Sequence, residues 1–281
     1  MRKNIDSPNL SDDIQQEIEK ILLDVERQPI EVEEIWQLMD DVWDSLGCND
    51  IKNEPEKVSL FYSHPVWLLN GLFIEQHNVS ILHRHAIADW INVNNNDIIS
   101  VLDYGGGFGT LARLIAGKNQ EVVVDIYEPH PSQLALEKLK AYSNVKFISS
   151  LKKQYDCLVC TDVLEHVPDP LSLLAEMIES VKIDGYLVIA NCFYPVIKCH
   201  LPETFHLRYS FNQFTSLMGL DTIGSCNGSH ATIYKKIRQE PMNWKKIRTQ
   251  EKISKAVFPF LRMSQASYQA LKRIFLKTQK N

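Results

Sequence analysis

Asp103, Gly105, Gly107 and Gly109, at alternate positions, are the residues of this chain whose types and spacing best suit chemistry. The stretch Val101-Leu102-Asp103-Tyr104-Gly105-Gly106-Gly107-Phe108-Gly109-Thr110 carries a short apolar run into an acid. A glycine loop follows and opens into a helical pattern from Leu111 to Ala116. Glycine serves where a backbone turns sharply and a ligand must approach with no Cβ in the way. A dinucleotide loop would want Gly or Ala at position 110, which is Thr110, and no Gly-Lys-Ser/Thr follows to make a phosphate loop. Glu128 ends the next β-branched run, at a spacing where an acid can grip ribose hydroxyls in doubly wound folds. Further on, Thr161-Asp162-Val163-Leu164-Glu165-His166 offers two acids and an imidazole, whose ordinary pKa of about 6.5 suits proton transfer at neutral pH.

The Asp-x-Gly-x-Gly-x-Gly loop resembles motif I of the class I S-adenosylmethionine-dependent methyltransferases. The segment Tyr155–Pro170 resembles the fourth-strand motif of the subgroup that includes the ubiquinone-biosynthesis O-methyltransferases, and the likeness covers about residues 80–236. It implies S-adenosylmethionine as cofactor, held by Asp103, Gly105, Gly107 and Glu128, with Thr161 and Asp162 near the sulfonium and Ser149 at the adenine. Asp103 either receives hydrogen bonds around the methionine portion or closes the glycine turn. Arg84, in the cluster His83-Arg84-His85, either meets the cofactor carboxylate, which a guanidinium fits bidentately, or lies on a solvated helix face. His166 is the candidate catalytic base; a capping or packing role is the alternative. Tyr194, His200, His206 and Arg208 belong to the loop expected over the acceptor. The principal reading assigns no metal ligand. Some relatives, including small-RNA 3′-terminal methyltransferases, place two acids and a histidine here, so Asp162, Glu165 and His166 with His200 and His206 keep a divalent-metal alternative open.

The elements that must position these residues follow from periodicity. Alternating β and α patterns from Ile99 to about Ile237 imply an α/β, Rossmann-like, doubly wound and mostly parallel sheet. Strands are expected near 99–103, 121–127, 145–148, 156–161 and 185–191, and helices near 108–116, 132–141 and 169–181. A helix near 211–219 and a terminal antiparallel hairpin, strands 221–226 and 230–236 about Asn227-Gly228, complete the unit. The domain division is 1–64, an acidic helical extension; 65–98, lid helices; 99–237, the methyltransferase domain; and 238–281, a basic amphipathic tail. Within the extension, helical stripes run from Ile14 to Val25 and from Ile35 to Leu46, stopped by Gly47, and residues 51–64 read as a loop. Within the lid, a helix is expected from about Val79 to Ile91. In the tail, Pro259 should start a helix in which Leu261, Tyr268, Leu271 and Phe275 share a face.

The chain has 281 residues, 44% hydrophobic and 23% charged, the profile of a globular protein. No apolar run reaches spanning length, the amino end lacks the apolar core of a signal peptide, and six cysteines without framework spacing fit a reducing cytosol. Cys157 and Cys160, three apart on a strand, should point to opposite faces rather than share a metal. The net charge of −5 hides an asymmetry: residues 1–50 carry 14 acids against 4 bases, and residues 241–281 carry 10 bases against Glu251 alone. The expected protein is cytoplasmic, with weak peripheral association at the inner membrane surface as one role for the tail. Packing along the acidic helices of its own or a partner subunit, in a homodimer, is the other. The function expected is O-methylation of a small metabolite or of a glycan- or lipid-linked intermediate. An RNA-modifying methyltransferase and a degenerate binding scaffold are the alternatives; the acidic front and the few bases around the site argue against nucleic acid.

Overall fold

The computed structural model describes residues 16, 20, 30–49, 54–94, 96–151 and 154–278, with 265–278 as backbone only. Apart from residues 16 and 20, the stripe expected from Ile14 to Val25 lies outside the described residues.

Seven strands form one sheet: β1 (Ser100–Tyr104), β2 (Val123–Tyr127), β3 (Val145–Ile148), β4 (Tyr155–Thr161), β5 (Val181–Ala190), β6 (Leu220–Ser225) and β7 (Thr232–Lys236), in the order β3-β2-β1-β4-β5-β7-β6. The first five run parallel, and β7 pairs antiparallel with both β5 and β6. The parallel strands read as near-continuous apolar runs because both faces are covered. Val101, Val124, Cys157, Val159 and Val188 enter one core, while Leu102, Leu158, Cys160, Leu187 and Ile189 enter the other. Cys157 and Cys160 therefore lie on opposite faces, both fully buried.

The first core is closed by α4 (Asn78–Val93), through Ile87, Ala88 and Ile91, and by α5 (Thr110–Lys118), through Leu111, Ala112 and Ile115. The second is closed by α7 (Pro170–Glu179) and α8 (Leu207–Leu217), where Leu174, Ile178, Leu207 and Phe214 pack. Asp169 caps α7 by accepting the Ser172 N–H at 3.1 Å, with Pro170 at the first helical position. A third core joins α1 (Val32–Ser45), α2 (Pro55–Tyr62) and α3 (Pro65–Gln76) to α6 (Gln133–Leu139), so the amino-terminal helices pack on the sheet domain. Gly47, at φ +62°, ends α1 as expected.

Three expectations are corrected. The loop expected over 51–64 contains α2, started by Pro55 and held by the fully buried Phe61. The helix expected from 211 begins at Leu207. The tail helix does not start at Pro259: α9 runs unbroken over Trp244–Thr278 with Pro259 inside it, and Ile247, 1% exposed, belongs to the second core. Proline in a helix interior removes one hydrogen bond. Here it lies on exposed turns, where water can serve the freed carbonyl.

Candidate functional site

Strand order fixes where a ligand fits. From β1 the chain winds outward through β2 and β3, then returns to β4 on the other side, so the crevice beyond the carboxyl ends of β1 and β4 is the topological switch point. The glycine loop after β1 opens there. Gly105 donates its N–H to Tyr127 O at 2.8 Å, and Gly109 donates to Gly106 O at 2.8 Å. Gly105 and Gly107 have φ of +68° and +50°, in the left-handed region that glycine occupies without strain. A Cβ on Gly107 would meet no protein atom within 4 Å, so this residue borders open space that a ligand can fill. Glu128 clasps the loop from the end of β2: its Oε2 accepts the Gly107 N–H at 3.0 Å and its Oε1 accepts the His130 N–H at 3.0 Å.

Asp103, at the end of β1, is 1% exposed and its Oδ2 has no hydrogen-bond partner. Burial pushes its pKa up to about 7, against the pull of the Arg84 guanidinium. Arg84, from α4, donates from Nη1 to Ser80 O at 3.1 Å, and the acids acting on its charge are Asp162 and Asp103. It therefore belongs to the crevice and not to a solvated face.

Asp162 follows β4 at φ +56°, a strained backbone for a residue with a Cβ. Its N–H donates to Ala190 O at 2.9 Å, and its Oδ1 stands 3.6 Å from His230 Nε2. The protein around it disfavours its charge, but His230 and Arg84 outweigh that and hold the carboxyl below its ordinary range. The same contact raises His230, whose Nδ1 is 3.2 Å from His83 Nδ1. His230 did not emerge from sequence reasoning, because only the antiparallel β6–β7 turn brings it back to the end of β4.

Beyond Asp162 a short 3-10 turn, Leu164–His166, carries the next pair. Glu165 is fully buried; its Oε1 accepts the Cys192 N–H at 2.7 Å, while Oε2 has no partner. Burial, then the charge of Asp162, raises its pKa to about 8. His166 Nδ1 lies 3.1 Å from Cys199 O, and His200 Nδ1 lies 2.6 Å from Tyr194 O. A carbonyl only accepts, so both rings carry their proton on Nδ1 and keep Nε2 as a lone pair. Burial, followed by the neighbouring His200, lowers His166 to about 3, so the ring is neutral. Glu165, His166 and His200 each offer a ligand atom, all within 4.8 Å of one another. A buried carboxylate oxygen without a donor, and imidazoles oriented by backbone carbonyls, suit a divalent cation. The metal alternative thus has three of its residues close together. His206 stands outside that set. Tyr62 and Trp67, not singled out from the sequence, wall it edge-on with ring centroids 6.2 Å from His166.

The remaining expected residues divide. Thr161 is half-buried at the end of β4, and Ser149 is exposed just past β3. Tyr194 is 46% exposed. Two residues expected at the acceptor make contacts within the chain. Arg208 donates from Nε and Nη2 to Phe193 O, at 3.1 and 2.7 Å, and lies 3.8 Å over the Tyr194 ring, so it clamps the loop. His206 is buried, its Nδ1 2.8 Å from Ser254 Oγ on α9. Trp67 Nε1, Asp103 Oδ2, Glu165 Oε2 and Asn191 Oδ1 are among the side-chain atoms left buried and unpartnered among the described residues.

A family model described as a methyltransferase domain matches residues 76–226. The ubiquinone biosynthesis O-methyltransferase of Aliivibrio fischeri (strain MJ11) is 30% identical over 134 residues, covering 44% of this chain and 56% of that protein. The protein of the same name from Vibrio cholerae is 28% identical over 152 residues, 51% of this chain and 59% of its own. The chain thus spans somewhat more than half the length of these curated relatives. Among solved structures, an O-methyltransferase family protein from Burkholderia thailandensis shares the fold, with TM-score 0.52 and 14% identity over 74% of this chain and 71% of that one.

Proposed function

Since this chain belongs to the methyltransferase-domain family, we propose that it transfers a methyl group from S-adenosylmethionine to a hydroxyl of a small, glycan-linked or lipid-linked acceptor. The observation that carries the reading is the clasp of Glu128 on Gly107, with open space beside the glycine and an unpartnered Asp103 oxygen behind it. The cofactor supplies an electrophilic methyl on a sulfonium; the protein supplies alignment and proton handling. Glu128, its two oxygens each holding one backbone N–H, has lone pairs left for ribose hydroxyls. Arg84 offers its guanidinium to a carboxylate, and Asp103 offers Oδ2 to an ammonium group. On the acceptor side, His166 presents a neutral Nε2 to a hydroxyl proton, as a base weakened by its burial, with Tyr62 and Trp67 limiting water.

Glu165, His166 and His200 favour a second form of the same reading, in which they hold a divalent cation whose charge lowers the pKa of a nearby hydroxyl. In that form His166 is a ligand and not the base.

Calorimetry with S-adenosylmethionine and its demethylated product, followed by labelled-methyl transfer into fractionated cell extract, tests the proposal. Cofactor binding with label recovered in a base-stable ether supports it. No binding of either ligand overturns it.

A further inference from the structure

The long helix α9 presents one face to the protein and leaves the other uncovered. On the inner side Ile247 is buried, Arg248 pairs with Asp169, Ser254 hydrogen-bonds His206 and Ser210, and Phe258 lies 6.0 Å from the Tyr209 ring. On the outer side Ile253, Val257, Phe260 and Leu261, spaced i, i+4, i+7 and i+8, are 50%, 42%, 73% and 41% exposed. Lys245, Lys246 and Lys252 are exposed beside and before this stripe. The helix's acid, Glu251, is already paired inward with Arg248 and Lys255. After Glu251 the sequence contains no acid, only Lys252, Lys255, Arg262, Lys272, Arg273, Lys277 and Lys280.

We infer that the outer face of α9 docks on an anionic lipid surface. An apolar stripe flanked by lysines is the arrangement by which a helix lies in a membrane interface, with its apolar side chains below the headgroups and its ammonium groups among the phosphates. Among the described residues no helix is long and apolar enough to cross a bilayer, so α9 lies on the surface and does not span it. A second copy of this basic face is the poorer partner, since two such faces repel. Charge complementarity selects an anionic occupant, and the apolar stripe selects one with a hydrocarbon layer beneath its charge.

The helix is also coupled to the acceptor loop. Its Ser254 and Phe258 meet His206, Tyr209 and Arg208, and Arg208 in turn holds Phe193 and Tyr194. Docking of α9 therefore holds that loop about one helix diameter, roughly 10 Å, from the bilayer, which deepens the proposed function toward a lipid-borne acceptor. The surface itself stands or falls separately from methyl transfer.

The test is sedimentation of the full chain with vesicles of phosphatidylcholine mixed equally with phosphatidylglycerol, against vesicles of phosphatidylcholine alone. Wild type is expected to pellet with the anionic vesicles at low salt and to be released at high salt, since exposed charge is screened. Phe260→Ser with Leu261→Ser, and separately Lys245→Glu with Lys246→Glu and Lys252→Glu, should each weaken pelleting by about tenfold or more, while calorimetry shows cofactor affinity unchanged. Failure to pellet, equal pelleting with neutral vesicles, or variants that bind like wild type each overturn the inference. So does a solution mass that falls from dimer to monomer in the variants, which would assign the face to a second copy. A chain that binds vesicles only once residues 1–29 are deleted assigns the face to that acidic segment and overturns the inference as well.

Discussion

The Glu128 carboxylate accepts the Gly107 N–H at 3.0 Å, so the acid at the end of β2 holds the loop at the end of β1 in the shape that faces the crevice. Two strand ends are tied by one contact that a ligand would use from its other side. Replacing Glu128 by Ala removes both the loop tie and the lone pairs offered to ribose. Calorimetry should show cofactor affinity lower by about 1–3 kcal/mol, the usual cost of losing a charged hydrogen-bond partner. Gly107→Val adds a branched side chain at φ +50°, in the space left open beside the glycine, and should abolish binding altogether. Unchanged affinity in both variants would place the cofactor elsewhere.

Asp103 predicts a pH dependence. Its folded pKa is raised from 3.8 to about 7 by burial, so between those values the folded chain keeps a proton that the unfolded chain has lost. That contribution to stability is full at low pH and is lost as pH rises toward 7. A cationic ligand group beside Oδ2 favours the ionised form, so binding releases a proton and affinity should climb as pH rises through about 7 before levelling. In Asp103→Asn the climb should vanish, and the melting temperature should fall less between pH 5 and pH 8 than in wild type. An Asp103→Asn variant that retains the full pH slope in affinity assigns it to another group.

The sheet could be read from the chain because its inner strands are buried on both faces and written as apolar runs between turn signals. The glycine loop was readable for a related reason: its left-handed turns are backbone features, which local sequence encodes. What escaped depends on contacts distant in sequence. His230 reaches Asp162 only because β7 returns antiparallel beside β5. Glu165, His166 and His200, already named together for the metal alternative, are joined without Asp162 and His206 because Leu201 N–H donates to Glu165 O at 2.9 Å, folding the loop after β5 over the turn after β4. Arg208 and His206 have residue types fit for a polar acceptor, and tertiary packing spends them on Phe193 and on Ser254 instead. Helix α2 was missed because, of its eight residues, only Phe61 is buried, which leaves little periodic signal.

Lys236 offers a test of the fold apart from the site. It is 1% exposed, and its Nζ donates to Ile178 O and Val181 O, both at 2.7 Å, joining β7 to the end of α7 and the start of β5. Lys236→Met keeps much of the volume but strands two buried carbonyls, and should destabilise the chain by about 1–3 kcal/mol in denaturant unfolding. A loss below a few tenths of a kcal/mol, about the scatter of surface substitutions, would mean that water reaches those carbonyls.

His166 separates the two forms of the proposed chemistry. As a base it acts alone, so His166→Ala should cut turnover by about 10²–10⁴-fold, with His200→Ala milder and chelation without effect. As a cation ligand it acts with Glu165 and His200, which share its 4.8 Å neighbourhood. His166→Ala, His200→Ala and Glu165→Gln should then fall together, chelator should inactivate the wild type, and added Mn²⁺ or Mg²⁺ should restore it. Mixed imidazole and carboxylate donors lead us to expect the second pattern, with Mn²⁺ more effective than Mg²⁺, which prefers oxygen ligands and keeps its waters. Cofactor affinity measured in parallel should change little in all three variants, because the hydrogen bonds of these side chains go to the loop after β5. If all three lost cofactor binding as fully as turnover, the cluster would be part of the cofactor cradle, and neither form would stand.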